Sequence, residues 1–159
     1  MRRIDRKTAR LGRAAVALLL LLSTAVAAAG TGIALAGEPV AGFRVVTNRE
    51  NSAGSVDREF LANAFLKKTT RWPDGAAIDA VDHRFGAPVR ARFSAEVLRR
   101  SVAAIRNYWQ QRIFTGRGVP PPELDSDEAV LRYVVSRRGA VGYVSEAADV
   151  SAVKVITLH

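Results

Sequence analysis

Apolar residues recur along this chain in two rhythms, and the changes of rhythm mark its elements. Phe43 to Thr47 is a short β-rich run, followed by the polar, turn-like stretch Asn48 to Gly54, so it reads as a strand. Val56, Phe60, Leu61, Ala64 and Phe65 then fall on one helical face. Ser55 is placed to cap that helix, with Asp57 and Glu59 in its first turn, where the helix dipole favours acids. Arg71 to Gly75 is a turn, and Ala77 to Asp82 reads as a second short strand. Pro88 is suited to open a helix whose apolar face carries Phe93, Val97 and Leu98. Val102, Ile105, Tyr108, Trp109 and Ile113 predict a further helix from about Val102 to Phe114. The glycines and prolines of 116–122 cannot continue it. Ser126 caps the next helix, Val130, Leu131, Val134 and Val135 form its buried stripe, and Gly139 stops it. Ala140 to Val144 and Val153 to Leu158 complete the strands. Alternating strands and helices point to an α/β sandwich with a mixed or parallel sheet.

The N-terminus follows neither rhythm. Residues 1–13 carry Arg2, Arg3, Arg6, Lys7, Arg10 and Arg13 against the single acid Asp5. Residues 14–36 hold no charge and end in the small-x-small pattern Ala34-Leu35-Ala36. Basic start, apolar middle and small-residue exit are the parts of a secretory signal. The alternative is a retained anchor, since the uncharged run is long enough to span a bilayer. The expected organisation is an export segment over 1–36, a linker over 37–42 and one domain over 43–159, working in the periplasm or on the outer face of the cytoplasmic membrane.

This segment changes the meaning of the charge. The chain is +9, with 24 Lys and Arg against 15 Asp and Glu. Six of those bases and one acid belong to 1–36, which leaves 18 against 14 in the rest. A nucleic-acid partner is therefore not implied. The modest surplus fits an anionic ligand, an anionic surface or nothing specific. The chain has no cysteine and 2 histidines, so disulfides, thiolate sites, cysteine nucleophiles and multi-histidine metal sites are not expected.

Catalytic signatures are absent: there is no G-x-S-x-G elbow, Walker loop, H-E-x-x-H or dinucleotide fingerprint. Asp82 and His83 are adjacent on a predicted strand and so point to opposite faces, which disfavours a base–orienter pair. Asp125, Asp127 and Glu128 lack the glycine and distal glutamate of a calcium loop and fit helix capping better. No cofactor or enzymatic activity is expected. Oxyanion binding is the better chemical idea, because oxyanions are held by N–H groups at helix starts, by hydroxyls and by arginine forks. The candidates sit at strand-to-helix junctions: Asn48 and Ser52, with Ser55, after the first strand, and His83, Arg84 and Arg90 around the Pro88 helix. Ligands of open α/β sheets bind beyond the carboxyl ends of the strands.

Three segments carry a resemblance: F-L-K-K-T-T-R-W-P-D-G over 65–75, Y-W-x-x-x-I-F-T-G-R-G-x-P-P over 108–121, and G-A-V-G-Y-V over 139–144, with F-x-x-x-V-L at Phe93 to Leu98 between them. Together they resemble the substrate-binding proteins of phosphate ABC transporters, and more narrowly their short single-module relatives. The resemblance spans 43–158. It implies a type II periplasmic-binding-protein fold, three-layered, with a mixed sheet flanked by helices and a reduced or single lobe. It also implies an extracytoplasmic solute-binding role for phosphate or a related oxyanion, with a transporter permease or another envelope protein as partner. Where the larger family has a Ser-Gly-Thr loop, this chain has Gly86-Ala87-Pro88-Val89. Both hydroxyls are gone and a proline replaces a donor. The alternative is an envelope sensor or accessory module that kept the fold and lost the ligand. Trp72, Tyr108, Trp109 and Phe114 are expected in the core, and Gly139 and Gly142 to serve backbone geometry.

Overall fold

The computed structural model describes residues 42–159, so the expected export segment, and all of the linker but Gly42, lie outside the described residues. The elements run β1 (Phe43–Thr47), β2 (Ser55–Val56), α1 (Arg58–Phe65), β3 (Asp79–Ala80), β4 (Asp82–His83), α2 (Pro88–Glu96), α3 (Val102–Phe114), β5 (Glu123–Leu124), α4 (Asp127–Val135), β6 (Ala140–Ser145) and β7 (Lys154–Leu158). Five strands form one mixed sheet in the order β2-β7-β1-β6-β3. β1 is antiparallel to both β6 and β7, whereas β3 runs parallel to β6 and β2 parallel to β7. β4 and β5 form a separate parallel pair.

The period of two along the central strands sorts their side chains to two faces. Val45, Val141, Tyr143 and Ile156 pack with Leu61 and Phe65 of α1, Phe93 of α2, and Ile105 and Trp109 of α3. On the other face Val46, Ala140 and Val144 pack with Val130 and Val134 of α4. Helices therefore cover both faces, the three-layered mixed α/β arrangement expected. Burial on both faces explains why β6 reads as a nearly continuous apolar run.

Two glycines mark close approaches. A Cβ on Gly142 would lie 2.7 Å from Val130 Cγ1 and 2.9 Å from Val81 Cγ1, so the absence of a side chain lets α4 sit on the sheet. A Cβ on Gly139 would lie 2.0 Å from the Ala77 carbonyl oxygen. Gly139 does not end α4, as the sequence suggested. The helix stops at Val135 with Ser136 as its cap, and Gly139 lets the 77 segment pass.

Other expectations shift for physical reasons. Asp57, not Ser55, caps α1, accepting from the Phe60 N–H, while Ser55 and Val56 pair with β7. The expected strand over Ala77 to Asp82 breaks at Val81 into β3 and β4, which join different sheets. Trp72 and Trp109 are buried as expected and Tyr108 is half-buried, but Phe114 is 94% exposed at the end of α3. Ile113 and Val135, placed on apolar faces by periodicity, are also exposed.

Candidate functional site

β4 and β6 point their carboxyl ends toward the same edge of the molecule, and the chain places a helix start at each exit. After His83 the loop 84–87 leads into α2, and Ser126 begins α4 beside the end of β6. Between them lies a cleft of about 290 Å³ lined by His83, Arg84, Ala87, Pro88, Ser126, Asp127 and Ser145, among others. α2 has Pro88 at its start, and Ala87 at the cap supplies no side-chain hydrogen bond. Pro88 has no N–H, and the Arg90 N–H donates to the Ala87 carbonyl at 3.0 Å, so what this end offers the cleft is the Val89 N–H and the partial positive charge of the helix start. α4 differs: Ser126 Oγ accepts from the Ala129 N–H at 3.2 Å. Asp127 accepts from the Ser145 N–H at 3.1 Å and from the Ser145 hydroxyl, tying α4 to the end of β6.

His83 is buried at one wall of this cleft. Its Nε2 lies 2.9 Å from the Tyr143 carbonyl oxygen, which can only accept, so Nε2 carries a proton. Its nearby carboxylate is that of Asp127, 3.4 Å from Nε2, and not the adjacent Asp82. Arg84 is exposed, and its backbone N–H donates to Leu124 O at 2.8 Å, which fixes the start of the loop. The Arg84 guanidinium makes no ion pair among the described residues. Asp125 joins Asp127 in bringing negative charge to the cleft. No group of three His, Asp or Glu suited to a metal ion occurs among the described residues.

Arg90, six positions further on, is held differently. It is 4% exposed. Nη1 donates to the His83 carbonyl at 2.6 Å and contacts Glu123 at 2.7 Å, and Nη2 contacts Asp82 at 3.1 Å. Asp82 also accepts from the Tyr143 hydroxyl and, at 2.8 Å, from the His83 N–H. Phe93 stacks on Tyr143 at 3.8 Å between ring centroids and 4° between planes, so core packing aims the hydroxyl at Asp82. Burial pushes the Asp82 carboxyl above its ordinary value, with Arg90 and the Tyr143 hydrogen bond pulling the other way. Burial also raises the Tyr143 hydroxyl, helped by the neighbouring Asp82. Both groups serve as a packed, internally satisfied network. Within this network Arg90 Nε is buried without a hydrogen-bond partner among the described residues.

Asn48 and Ser52 do not join the His83–Arg84 group. β1 runs antiparallel to β6, so its carboxyl end emerges at the opposite edge of the sheet. There Asn48 donates to the carbonyls of Val134 and Val135 at 3.0 and 2.9 Å and accepts from the Glu50 N–H at 3.0 Å. It caps the far end of α4. Ser52 donates to Asp74 at 2.8 Å. The sequence reading weighed Asp127 for a calcium loop and for helix capping, not as a partner of His83, and nominated none of Tyr143, Glu123 and Ser145 for the site. The G-A-V-G-Y-V run offered a signal for Tyr143, because a tyrosine inside a buried strand needs a polar partner for its hydroxyl.

No family model matches this sequence, and no curated protein does. Solved structures match in fold. One from Clostridium perfringens, assigned to the phosphate ABC transporter substrate-binding proteins and carrying bound phosphate, aligns at 18% identity with a TM-score of 0.59, over 75% of this chain and 46% of that one. An ABC-type phosphate transport receptor from Vibrio cholerae aligns at 18% identity and TM-score 0.54, over 75% and 47%. PstS from Borrelia burgdorferi aligns at 11% identity and TM-score 0.53, over 75% and 47%. The chain therefore has the fold of phosphate-receptor structures and spans less than half their length.

Proposed function

We propose that this chain is an exported, receptor-like binding protein that takes phosphate or a related oxyanion in the cleft at Arg84, for an ABC transporter or as a descendant of such a receptor. One observation carries the reading. In a phosphate-receptor fold, an exposed Arg84 without an ion pair among the described residues and an α2 start without a side-chain cap line one cleft beyond the carboxyl ends of β4 and β6. Ser126 and Ser145 add hydroxyls at the same cleft. Of the residues nominated from sequence, Arg84 and His83 belong to this cleft. Arg90 contributes by holding the His83 carbonyl and the β4–β5 junction, and Asn48 and Ser52 act elsewhere in the fold.

Binding by this cleft is weak. Each charge-assisted hydrogen bond missing from the Gly86-Ala87-Pro88-Val89 loop costs about 1.5–3 kcal/mol, which is about tenfold or more in affinity. Asp125 and Asp127 repel an anion further. Calorimetric titration with inorganic phosphate tests the reading: saturable heat supports it, and no heat at millimolar phosphate removes it.

A second reading has its own observation. The buried arginine of the region, Arg90, is engaged through both terminal nitrogens by Asp82, Glu123 and the His83 carbonyl, so the fold spends a strong anion donor on itself. That suits an envelope-associated interaction module that kept the fold and lost the ligand. Export rests on the pattern of residues 1–36; among the described residues no helix is long and apolar enough to cross a membrane.

A further inference from the structure

A second face of the molecule is apolar and basic at once. Among the described residues six large apolar side chains stand exposed, and four of them gather around the end of α3: Phe85, Ile113, Phe114 and Val119, at 53, 52, 94 and 61% exposure. Phe85 and Ile113 line a shallow depression of about 330 Å³ floored by Trp109. Exposed apolar side chains gathered in one region mark an interaction surface. Basic residues surround it. The Arg106 guanidinium lies over the Phe85 ring at 5.7 Å. Arg117 sits in the loop between Phe114 and Val119, whose path is held by Arg112 donating to the Arg117 carbonyl at 2.7 Å. Neither Arg106 nor Arg117 is ion-paired among the described residues. Glu123, the acid lining the depression, is paired with Arg90.

We propose that this face docks on an anionic lipid bilayer, with Phe114 and Val119 entering the headgroup–acyl boundary and Arg106 and Arg117 meeting lipid phosphates. Charge complementarity selects the partner. A second copy presenting the same face would set unpaired arginines against one another. The most exposed side chain, Phe114, projects outward, and a fluid boundary can close around it without a matching pocket. Apolar side chains ringed by cations are the combination that holds a protein at an anionic interface. The proposal does not depend on oxyanion binding in the cleft.

The test needs a probe local to the face, because the uncharged run at 14–36 can by itself bring the whole chain to a bilayer. The chain has no cysteine, so Val119→Cys gives the full-length protein a single site for an environment-sensitive fluorophore, with Ser151→Cys as the remote control. With vesicles of phosphatidylcholine containing phosphatidylglycerol, emission at 119 rises and shifts to the blue, and emission at 151 does not. Pure phosphatidylcholine gives no such response. Phe114→Ser, at a fully solvated position, or Arg117→Glu, lowers the apparent vesicle affinity reported at 119 by about tenfold or more. An unchanged signal at 119, or equal signals at 119 and 151, overturns the proposal. A response at 119 to polyglutamate but not to vesicles also overturns it, in favour of an acidic polypeptide partner.

Discussion

Arg84 and Arg90 stand six positions apart on either side of one helix start, and the fold treats them oppositely. Arg90 is removed from water and compensated by two carboxylates and a carbonyl. Arg84 remains exposed, without an ion partner among the described residues, at the rim of a cleft. A buried, compensated charge is part of the structure, and removing one partner leaves the others stranded. An exposed, uncompensated charge contributes little to stability and remains free to meet a ligand. The difference teaches that, in this fold, availability for binding is decided by what the neighbouring strands supply. Asp82 and Glu123 come from β4 and β5, which no residue near Arg90 in sequence would announce.

The largest expected effect comes from breaking the buried side. Arg90→Met leaves Asp82 buried beside Tyr143 without its cation and destabilises the fold by about 3–5 kcal/mol, read from urea unfolding. A near-neutral result accompanied by lost phosphate binding would reverse the assignment of the two arginines. The same network has a pH signature. Burial raises the Asp82 carboxyl above 3.8, so the folded state holds that proton more tightly than the unfolded chain. Its contribution to stability is greatest at low pH and declines as pH rises from about 3.9 through the folded-state value. Unfolding curves of the wild type and Asp82→Asn across that window should differ by such a decline. Parallel pH profiles would remove the inference.

The open side responds more gently. Ser126→Ala removes the α4 cap and costs about 1 kcal/mol, measured by thermal or urea unfolding. Asp125→Asn removes a negative charge from the cleft with no bond lost inside the fold. At an interaction of about 1 kcal/mol for charges some 4 Å apart in water, phosphate affinity should rise a few-fold in calorimetry. A fall would mean that Asp125 accepts a proton from the ligand or orders the cleft.

Much of the fold was legible because helices of this chain announce themselves locally. Val102 to Phe114, the Ser126 cap and the Pro88 start are found as read, since each depends on residues within a turn of itself. The resemblance pointed to the same mixed α/β fold that the phosphate-receptor structures share. What stayed hidden depends on distant neighbours. β2 and β5 are too short to show a period and exist through their partners. Gly139 looked like a helix stop, but its need arises from Ala77. For the candidate site, the rule that ligands lie beyond strand carboxyl ends nominated His83 and Arg84, which line one cleft. Applied to β1 it brought in Asn48 and Ser52, because the sequence carries no mark that β1 is antiparallel to β6. Phe114 was assigned to the core by its position in a motif, although the helix ends there and leaves it in water.

The central claim is that the free arginine, not the buried one, meets the oxyanion. Titration calorimetry of inorganic phosphate into the wild type and Arg84→Ala tests it most directly. Arg84→Ala should unfold within about 0.5 kcal/mol of the wild type, as surface substitutions do. It should lose about tenfold or more in phosphate affinity, since a hydrogen bond to a charged group is worth about 1.5–3 kcal/mol. Equal affinity in the two proteins, or no phosphate heat in either, would contradict the account.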